Sequence, residues 1–288
     1  MSDRCEVIAV CGHEAAYGRA LHTLVDPAVT VVPNGRELYR TLAALNRRGR
    51  ESCVVPMTLG RDPQLVADTA RTLRALPATE RSGTVLAEPF GTSQHLIAWL
   101  RAAAGRTPDT AALLVTAPAG GPFEDAELYR VASLVRRYGG HALVEVAFTG
   151  GDPDLAEGVR RCGLLGASHV VLLPAAFAQV DVPDVPDVRD VPDVPDVPDT
   201  SGLSGVRVES AGPSIPPAAL ARVLAERVAD ARRRRHEHGD DGIAAGLTAA
   251  DSHGHSHTHP PGEGHDHANV HAHGHPHPAP ARAIRSTA

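Results

Sequence analysis

The residues that could do chemistry lie in two places, a short motif near the start of the chain and a dense run of histidines near its end. The motif Cys11-Gly12-His13-Glu14 directly follows an apolar run. After a strand of a parallel sheet it would stand at the ligand-binding edge, where Gly12 lets the backbone turn and His13 faces a cleft. A neutral imidazole there can bind a divalent metal or accept a proton near neutral pH. The alternative is an ordinary loop histidine.

The histidine run reads HGHSHTHPPGEGHDHANVHAHGHPHP over residues 253–278, and twelve of the 17 histidines lie between His236 and His277. Histidine alternating with Gly, Ser, Pro and Asp cannot bury apolar area, so we predict a disordered tail. Closely spaced imidazoles bind later first-row metals such as Ni(II), Co(II), Cu(II) and Zn(II). The predicted ligands in the tail are His253, His255, His257, His259, His265, His267, His271, His273, His275 and His277.

A second unusual segment, Asp181–Asp199, reads DVPDVPDVRDVPDVPDVPD. Proline at every third residue removes donors and the acids repel, which predicts a disordered, extended insert. Residues 181–199 carry one Arg and seven acids, and residues 236–288 carry two Arg and six acids. The formal net charge of −6 therefore becomes +4 for the remainder. No basic stripe interleaves with aromatics, so nucleic acid is not an expected partner.

Apolar, β-branched runs alternate with helical patterns from residue 6 to about residue 235, which predicts an α/β fold with parallel sheets covered on both faces. The predicted strands are Val7–Cys11, Val29–Val32, Ser52–Met57, Thr84–Glu88, Ala112–Thr116, Ala142–Phe148, His169–Leu173 and Val206–Glu209. The predicted helices are Arg36–Arg47, Pro63–Ala75, Ser93–Ala104, Asp125–Tyr138, Asp154–Leu165 and Pro217–Arg235.

The pattern also repeats. VIAVCGHE and AALLVTAPAG open the two halves, and CVVPMTLG and HVVLLPAAF follow as later strands that end in proline. We expect two similar half-domains whose parallel sheets face a central cleft at the carboxyl ends of the strands. The predicted division is an N-terminal lobe, 1–107, a C-terminal lobe, 108–235, interrupted by 181–199, and the tail, 236–288.

Several classes of protein lack support in the sequence. There is no leader pattern and no membrane-length apolar run, so we expect a cytoplasmic protein with no membrane contact. The four cysteines lack CxxC spacing and are expected to be buried thiols. The absence of GxGxxG, P-loop and GxSxG motifs leaves nucleotide binding and serine hydrolysis unsupported.

The strand-Gly-His opening, the twofold repeat, GASHVVLLPAAF and the histidine tail together resemble the CbiX-type sirohydrochlorin chelatases of cobalamin and sirohaem synthesis, over about residues 6–235. The resemblance implies two flavodoxin-like lobes and a lyase that inserts a divalent metal into a polycarboxylated tetrapyrrole. Co(II) is the first choice of metal substrate, with Ni(II), Fe(II) or Zn(II) as alternatives, and no nucleotide or organic cofactor is needed. Two lobes in one chain allow a monomer to close such a cleft, and a homodimer is the alternative oligomeric state.

The resemblance assigns His13 as the catalytic, metal-facing histidine. Its second histidine, eight residues after Pro56, falls on Gln64, and its acid falls on Asp68, so the implied metal residues of the body are His13 and Asp68. Glu14, Asp68 or a substrate carboxylate would then have to act with His13. The family's Phe-Leu-Glu motif has its nearest counterpart at Phe148-Thr149-Gly150, without the acid.

Arginines at the predicted cleft edge could pair with substrate carboxylates through forked donors. Arg61 is the predicted substrate-binding residue, and Arg36 is a weaker candidate. In the second half, Thr116-Ala117 stands where a Gly-His pair would be. Four further histidines are either helpers or structural residues: His22, His95, His141 and His169.

Two functions follow. In the first, the chain is a chelatase in which His13 acts near the metal and the tail concentrates metal. In the alternative, it is a non-enzymatic cobalt or nickel binding, storage or delivery protein on a degenerate chelatase body. An unrelated doubly wound protein is a third reading.

Overall fold

Two parallel four-stranded sheets, one from each half, form the framework of the protein. The computed structural model describes residues 5–178, 182 and 206–251. The strands are β1 (Glu6–Cys11), β2 (Thr30–Pro33), β3 (Ser52–Met57), β4 (Thr84–Leu86), β5 (Ala112–Pro118), β6 (Val144–Thr149), β7 (His169–Pro174) and β8 (Arg207–Ser210). Their order is β2-β1-β3-β4 in one sheet and β6-β5-β7-β8 in the other. The same strand order in both confirms the predicted α/β fold of two similar half-domains.

Six α-helices in the described residues match the predicted ones to within a few residues at each end, and two short ones, the third and the eighth, were not predicted. The helices are α1 (Arg36–Arg47), α2 (Pro63–Arg74), α3 (Ala78–Arg81), α4 (Ser93–Ala104), α5 (Pro122–Tyr138), α6 (Leu155–Leu164), α7 (Pro217–His238) and α8 (Ile243–Leu247). The largest difference at a helix start is in α5, which begins at Pro122 rather than Asp125. Proline suits the first helical position because its missing N–H has no partner there anyway.

Alternation along the strands sends neighbouring side chains to opposite faces of each sheet. In β1, Ala9 and Cys11 belong to the large apolar cluster between the sheets, whereas Ile8 and Val10 belong to a separate cluster on the outer face. In β5, Leu113 likewise faces the large cluster. Both sheets therefore share one continuous core.

Three helices fill the space between the sheets, and two of them pack on the sheet of the other half. Apolar residues of α4, α5 and α7 join the shared core. Helix α4, from the first half, contacts β7 of the second sheet, and α7, from the second half, contacts β3 and β4 of the first. The predicted division at 107/108 falls in the connection between α4 and β5, but the packing crosses it, and the division stays a prediction.

The folded part of the chain continues past residue 235, where we predicted the tail to begin. Helix α7 runs to His238 and ends at Gly239, whose φ of 67° is the left-handed value typical of a helix end. Helix α8 then packs on α2, with Ile243 buried in the outer cluster of the first half. The prediction was wrong for residues 236–251, because a helix of 5 residues is too short to show a helical period in the sequence.

The remaining predictions on the acidic insert and the histidine run, residues 181–199 and 253–277, fall almost entirely outside the described residues. Within the described ranges, no helix combines the length and apolarity that crossing a membrane requires. All four cysteines lie in this part of the chain, and Cys11, Cys53 and Cys162 are fully buried thiols. Burial raises the pKa of Cys11 to about 12, so this thiol next to the His13 motif stays protonated.

Candidate metal centre

Loops at the carboxyl ends of both sheets meet at Glu14, directly after His13. The backbone N–H of Leu59, from the loop after β3, donates to Glu14 Oε2 at 3.0 Å. The N–H of Phe177, from the loop after β7, donates to the Glu14 carbonyl oxygen at 3.1 Å. Parallel sheets bind ligands at this edge. Glu14 therefore ties the His13 loop to both halves of the protein.

His13 lies between two carboxylates that come from different halves. Its Nδ1 is 3.2 Å from Oδ2 of Asp62, in the loop before α2. Its Nε2 is 4.0 Å from Oε2 of Glu124, in the first turn of α5. One ligand atom from each of the three residues can be chosen so that all lie within 4.8 Å of one another, which is the spacing of a metal-binding group.

Gly12 serves this site in a way that differs from the prediction. Its φ of −108° and ψ of −155° are extended, so it makes no sharp turn. A Cβ at Gly12 would instead lie 2.6 Å from Asp62 Oδ2, so glycine is needed to let Asp62 approach. The sharp turn comes later, at Ala16 and Tyr17, whose φ values are 48° and 55°. Such backbone costs of order 1–3 kcal/mol per residue and is found at ligand sites.

A buried carboxylate lies beneath the His13 loop, under the influence of the charge of Arg61. The Glu14 side chain is enclosed and accepts a hydrogen bond from the Thr58 hydroxyl. Burial raises the pKa of the Glu14 carboxyl, an effect opposed by the charge of Arg61 and by the hydrogen bond from Thr58. Arg61 in turn donates from Nε to the Glu124 carbonyl oxygen at 3.3 Å. This arginine therefore holds the start of α5, and with it Glu124, against the first half.

The charges around His13 favour its protonated form when no metal is bound. Burial alone lowers the pKa of His13, but the hydrogen bond with Asp62 and the carboxylates of Glu14, Asp62 and Glu124 together raise it above 6.5. When the imidazole is neutral, Nδ1–H donates to Asp62 and the lone pair lies on Nε2. That Nε2 is buried and has no hydrogen-bond partner among the described residues.

This donor set suits a divalent cation. A carboxylate that holds Nδ1–H of a histidine fixes the tautomer and the ring orientation of a metal-bound imidazole. Nε2 of His13 and Oε2 of Glu124 then offer one nitrogen and one oxygen, a mixture that fits first-row metals such as Co(II), Ni(II), Fe(II) and Zn(II). Few protein ligands leave coordination positions open for a second molecule.

Two of the predicted site residues do not join this group. Asp68 lies one and a half turns into α2 from Asp62, and its Oδ1 accepts a hydrogen bond from Gln64 Nε2 at 2.9 Å. Asp68 also pairs with the exposed Arg71. The acid that lies beside His13 is Asp62, not Asp68. The resemblance directed the assignment to a residue inside α2, whereas Asp62 is the N-cap residue that precedes this helix.

The predicted role of Arg61 also has to be corrected. We predicted a substrate-binding side chain at the edge of the cleft, but its side chain is fully buried, with Asp125 3.5 Å away. The reason is electrostatic, because the enclosed Glu14 requires a cation beside it. Arg61 is therefore part of the support of the site.

Glu124 was not predicted from the sequence. The only signal was its place two residues after Pro122, where acids favour a helix start.

The strand register also corrects the alignment of the two halves: Val10 pairs with Pro56, and Thr116 pairs with Pro174. Pro118-Ala119 therefore occupies the position of the Gly-His pair, rather than Thr116-Ala117.

The other body histidines lie apart from His13. His95 completes the capping box of α4 and stacks on Trp99, and His169 pairs with Glu209 across β7 and β8. His141 is buried against the carbonyl oxygens of Ala104 and Ala111. His22 is exposed. The predicted metal ligands of the tail lie outside the described residues.

Fold and site together define an α/β protein of two parallel sheets with a candidate centre for a divalent metal where the halves meet. No model of a known protein family matches the chain, and no curated protein matches it. Among solved structures it is similar to CbiX, described as the terminal enzyme for biosynthesis of siroheme in denitrifying bacteria. The identity is 20%, the TM-score is 0.43, and the match covers 77% of this chain and 99% of that chain. Such a likeness leaves the activity to be argued from the site.

Proposed function

We propose that the protein inserts a divalent metal, Co(II) in the first place, into sirohydrochlorin or a related polycarboxylated tetrapyrrole, in the cytoplasm. The observation that carries this proposal is the convergence of His13 Nε2 and Glu124 Oε2 from the two halves, 4.0 Å apart, with Asp62 behind the imidazole. The sequence motifs that resemble CbiX-type chelatases supply the choice of substrate.

Metal insertion requires metal ligands and proton acceptors, and an imidazole and a carboxylate can be both. The ion must lose bound waters, and two pyrrolic N–H bonds must break as four metal–nitrogen bonds form, which releases two protons and changes no oxidation state. His13 and Glu124 can replace waters on the incoming ion while other coordination positions stay open to the ring. As the ion passes to the ring, the vacated imidazole and carboxylate can accept the two protons.

The histidine tail has a separate part in this proposal. A covalently linked metal store raises the metal concentration near the site without requiring fixed geometry. It should therefore matter when metal is scarce and not when metal is abundant.

The test is the rate of Co(II) insertion into sirohydrochlorin, followed by the absorbance of the tetrapyrrole. We expect His13→Ala to lower the rate to that of the spontaneous reaction, because it removes the nitrogen ligand. His22→Ala, an exposed histidine of the same half, is the matched control and should leave the rate unchanged. Replacing the ten histidines from His253 to His277 by serine should slow insertion only at limiting Co(II).

A second function is a non-enzymatic cobalt or nickel binding, storage or delivery protein. The observation in its favour is that Gln64, where a second histidine was expected, is exposed and hydrogen-bonded to Asp68. If the unmodified protein binds several ions but insertion is no faster than the spontaneous reaction, this function replaces the first.

A further inference from the structure

A cavity of about 440 Å³ is lined by residues from both halves of the protein, among them the segment that follows His13. Its first wall is the segment that follows His13, with Ala16, Arg19, Ala20 and Leu24. The second-half wall contains Phe177 and Pro213.

Hydrogen bonds join these walls to the His13 loop. The N–H of Tyr17 donates to the Gly12 carbonyl oxygen at 2.9 Å, and the N–H of Ala20 donates to the Ala15 carbonyl oxygen at 3.3 Å. On the other side, Phe177 donates to the Glu14 carbonyl. The left-handed backbone at Ala16 and Tyr17 turns the chain so that it forms this wall. Both walls of the cavity are therefore held directly to the loop that carries His13.

The chemistry of the walls selects the ligand. They are mostly alanine, leucine, phenylalanine and proline, which suit the edge of an apolar ring. The one charged group is the guanidinium of the exposed Arg19, for which the described ranges contain no hydrogen-bond or ion-pair partner. A guanidinium without a protein partner offers forked donors to a carboxylate.

We propose that this cavity binds one carboxylate-bearing edge of the organic substrate and that Arg19 is a specificity-determining residue for that carboxylate. This inference rests on the proposed function, since it assigns a subsite to the tetrapyrrole. It differs from the sequence-based expectation, which gave the carboxylate contact to Arg61, a residue that is buried.

The probe is a metal-free porphyrin octacarboxylate, titrated into the full-length protein and followed by porphyrin fluorescence. Arg19→Gln should weaken its binding about tenfold, the loss of one charge-assisted hydrogen bond. Ala20→Phe should fill the cavity and weaken binding at least as much. Arg40→Gln, which removes an exposed arginine from α1 of the same half, is the matched control and should change nothing.

Binding of Co(II) alone is measured alongside and should be the same in all four proteins, since none of the substitutions touches the His13 group. Thermal melts report whether Ala20→Phe folds, and Arg19→Gln stands as the test if it does not. If the unmodified protein binds the porphyrin and Arg19→Gln binds it as Arg40→Gln does, the subsite is wrong and the proposed function stands. If the unmodified protein binds no porphyrin, the proposed function itself fails.

Discussion

The carboxylate of Asp62 links the start of α2 to the imidazole of His13. Its Oδ1 accepts a hydrogen bond from the Leu65 N–H at 2.7 Å and so caps the helix, while Oδ2 lies 3.2 Å from His13 Nδ1. One short side chain thus fixes the orientation of the candidate metal ligand relative to a rigid helix. Its two roles can be separated by substitution.

Asp62→Asn should keep the helix cap and damage the metal centre. Asparagine caps as well as aspartate, so we expect the free energy of unfolding to change by less than about 1 kcal/mol. Its amide would donate to Nδ1 of His13 and move the imidazole proton to Nε2, so that Co(II) binding weakens roughly 10- to 100-fold. Calorimetry on protein whose ten tail histidines are serine measures this affinity. Asp154→Asn, at the N-cap of α6, is the control; equal affinities in both variants would contradict the orienting role.

Gly120→Ala should separate the two halves of the metal centre without removing a ligand. A Cβ at this position would lie 2.3 Å from Glu124 Oε2 and 3.1 Å from His13 Nε2. The carboxylate is the end of a flexible side chain and can rotate away, but it then gives up the hydrogen bond from the Gly121 N–H at the start of α5. We therefore expect weaker Co(II) binding and a loss of stability of about 1 kcal/mol. Gly105→Ala is the control, since its Cβ would meet only ordinary contacts. Unchanged Co(II) affinity in Gly120→Ala would show that Glu124 is not a ligand.

The metal-free protein should lose stability as His13 gives up its proton. The folded pKa of His13 lies above its unfolded value of 6.5, so the stabilisation by the protonated form is complete below pH 6.5 and lost as pH rises through the folded pKa. Urea unfolding with a chelator, between pH 5.5 and 8.5, measures this as a gap between the unmodified protein and His13→Gln that narrows as pH rises. His22→Gln, which replaces an exposed histidine of the same half, is the control. Added Co(II) should reverse the trend, because metal requires the neutral imidazole.

Helix α8 should contribute to stability, although the sequence predicts that its residues belong to the disordered tail. Protein ending at residue 251 should unfold like the full chain, whereas protein ending at residue 235 should lose several kcal/mol. The second truncation removes buried Ile243 and the Asp241 carbonyl that accepts from the Leu86 N–H at 2.8 Å. Ile243→Ala alone should cost about 2–4 kcal/mol. Equal urea midpoints for the two truncated proteins would contradict this role.

Much of the fold could be predicted because it depends on local patterns. Strands that are apolar throughout and helices with apolar residues at every third or fourth position read directly from the chain, and Ser52–Met57 and Ser93–Ala104 match residue for residue. Helix α8 was missed because a helix of 5 residues is too short to show a helical period in the sequence. The packing of α4 and α7 on the sheet of the other half has no local sequence pattern either.

The site divides in the same way. The sequence by itself predicted His13 as a candidate ligand, since a histidine directly after a strand is recognisable from a single segment. It also predicted metal binding by the histidine-rich residues 253–277, which stays a prediction. Only the tertiary structure decided the partners of His13. Asp62 and Glu124 are 49 and 111 residues from it in the chain, so no spacing rule connects them, and parallel strands alone bring their loops together. Burial likewise made Arg61 a support for Glu14 and left Arg19 exposed at the cavity, because enclosure depends on the packing of both halves.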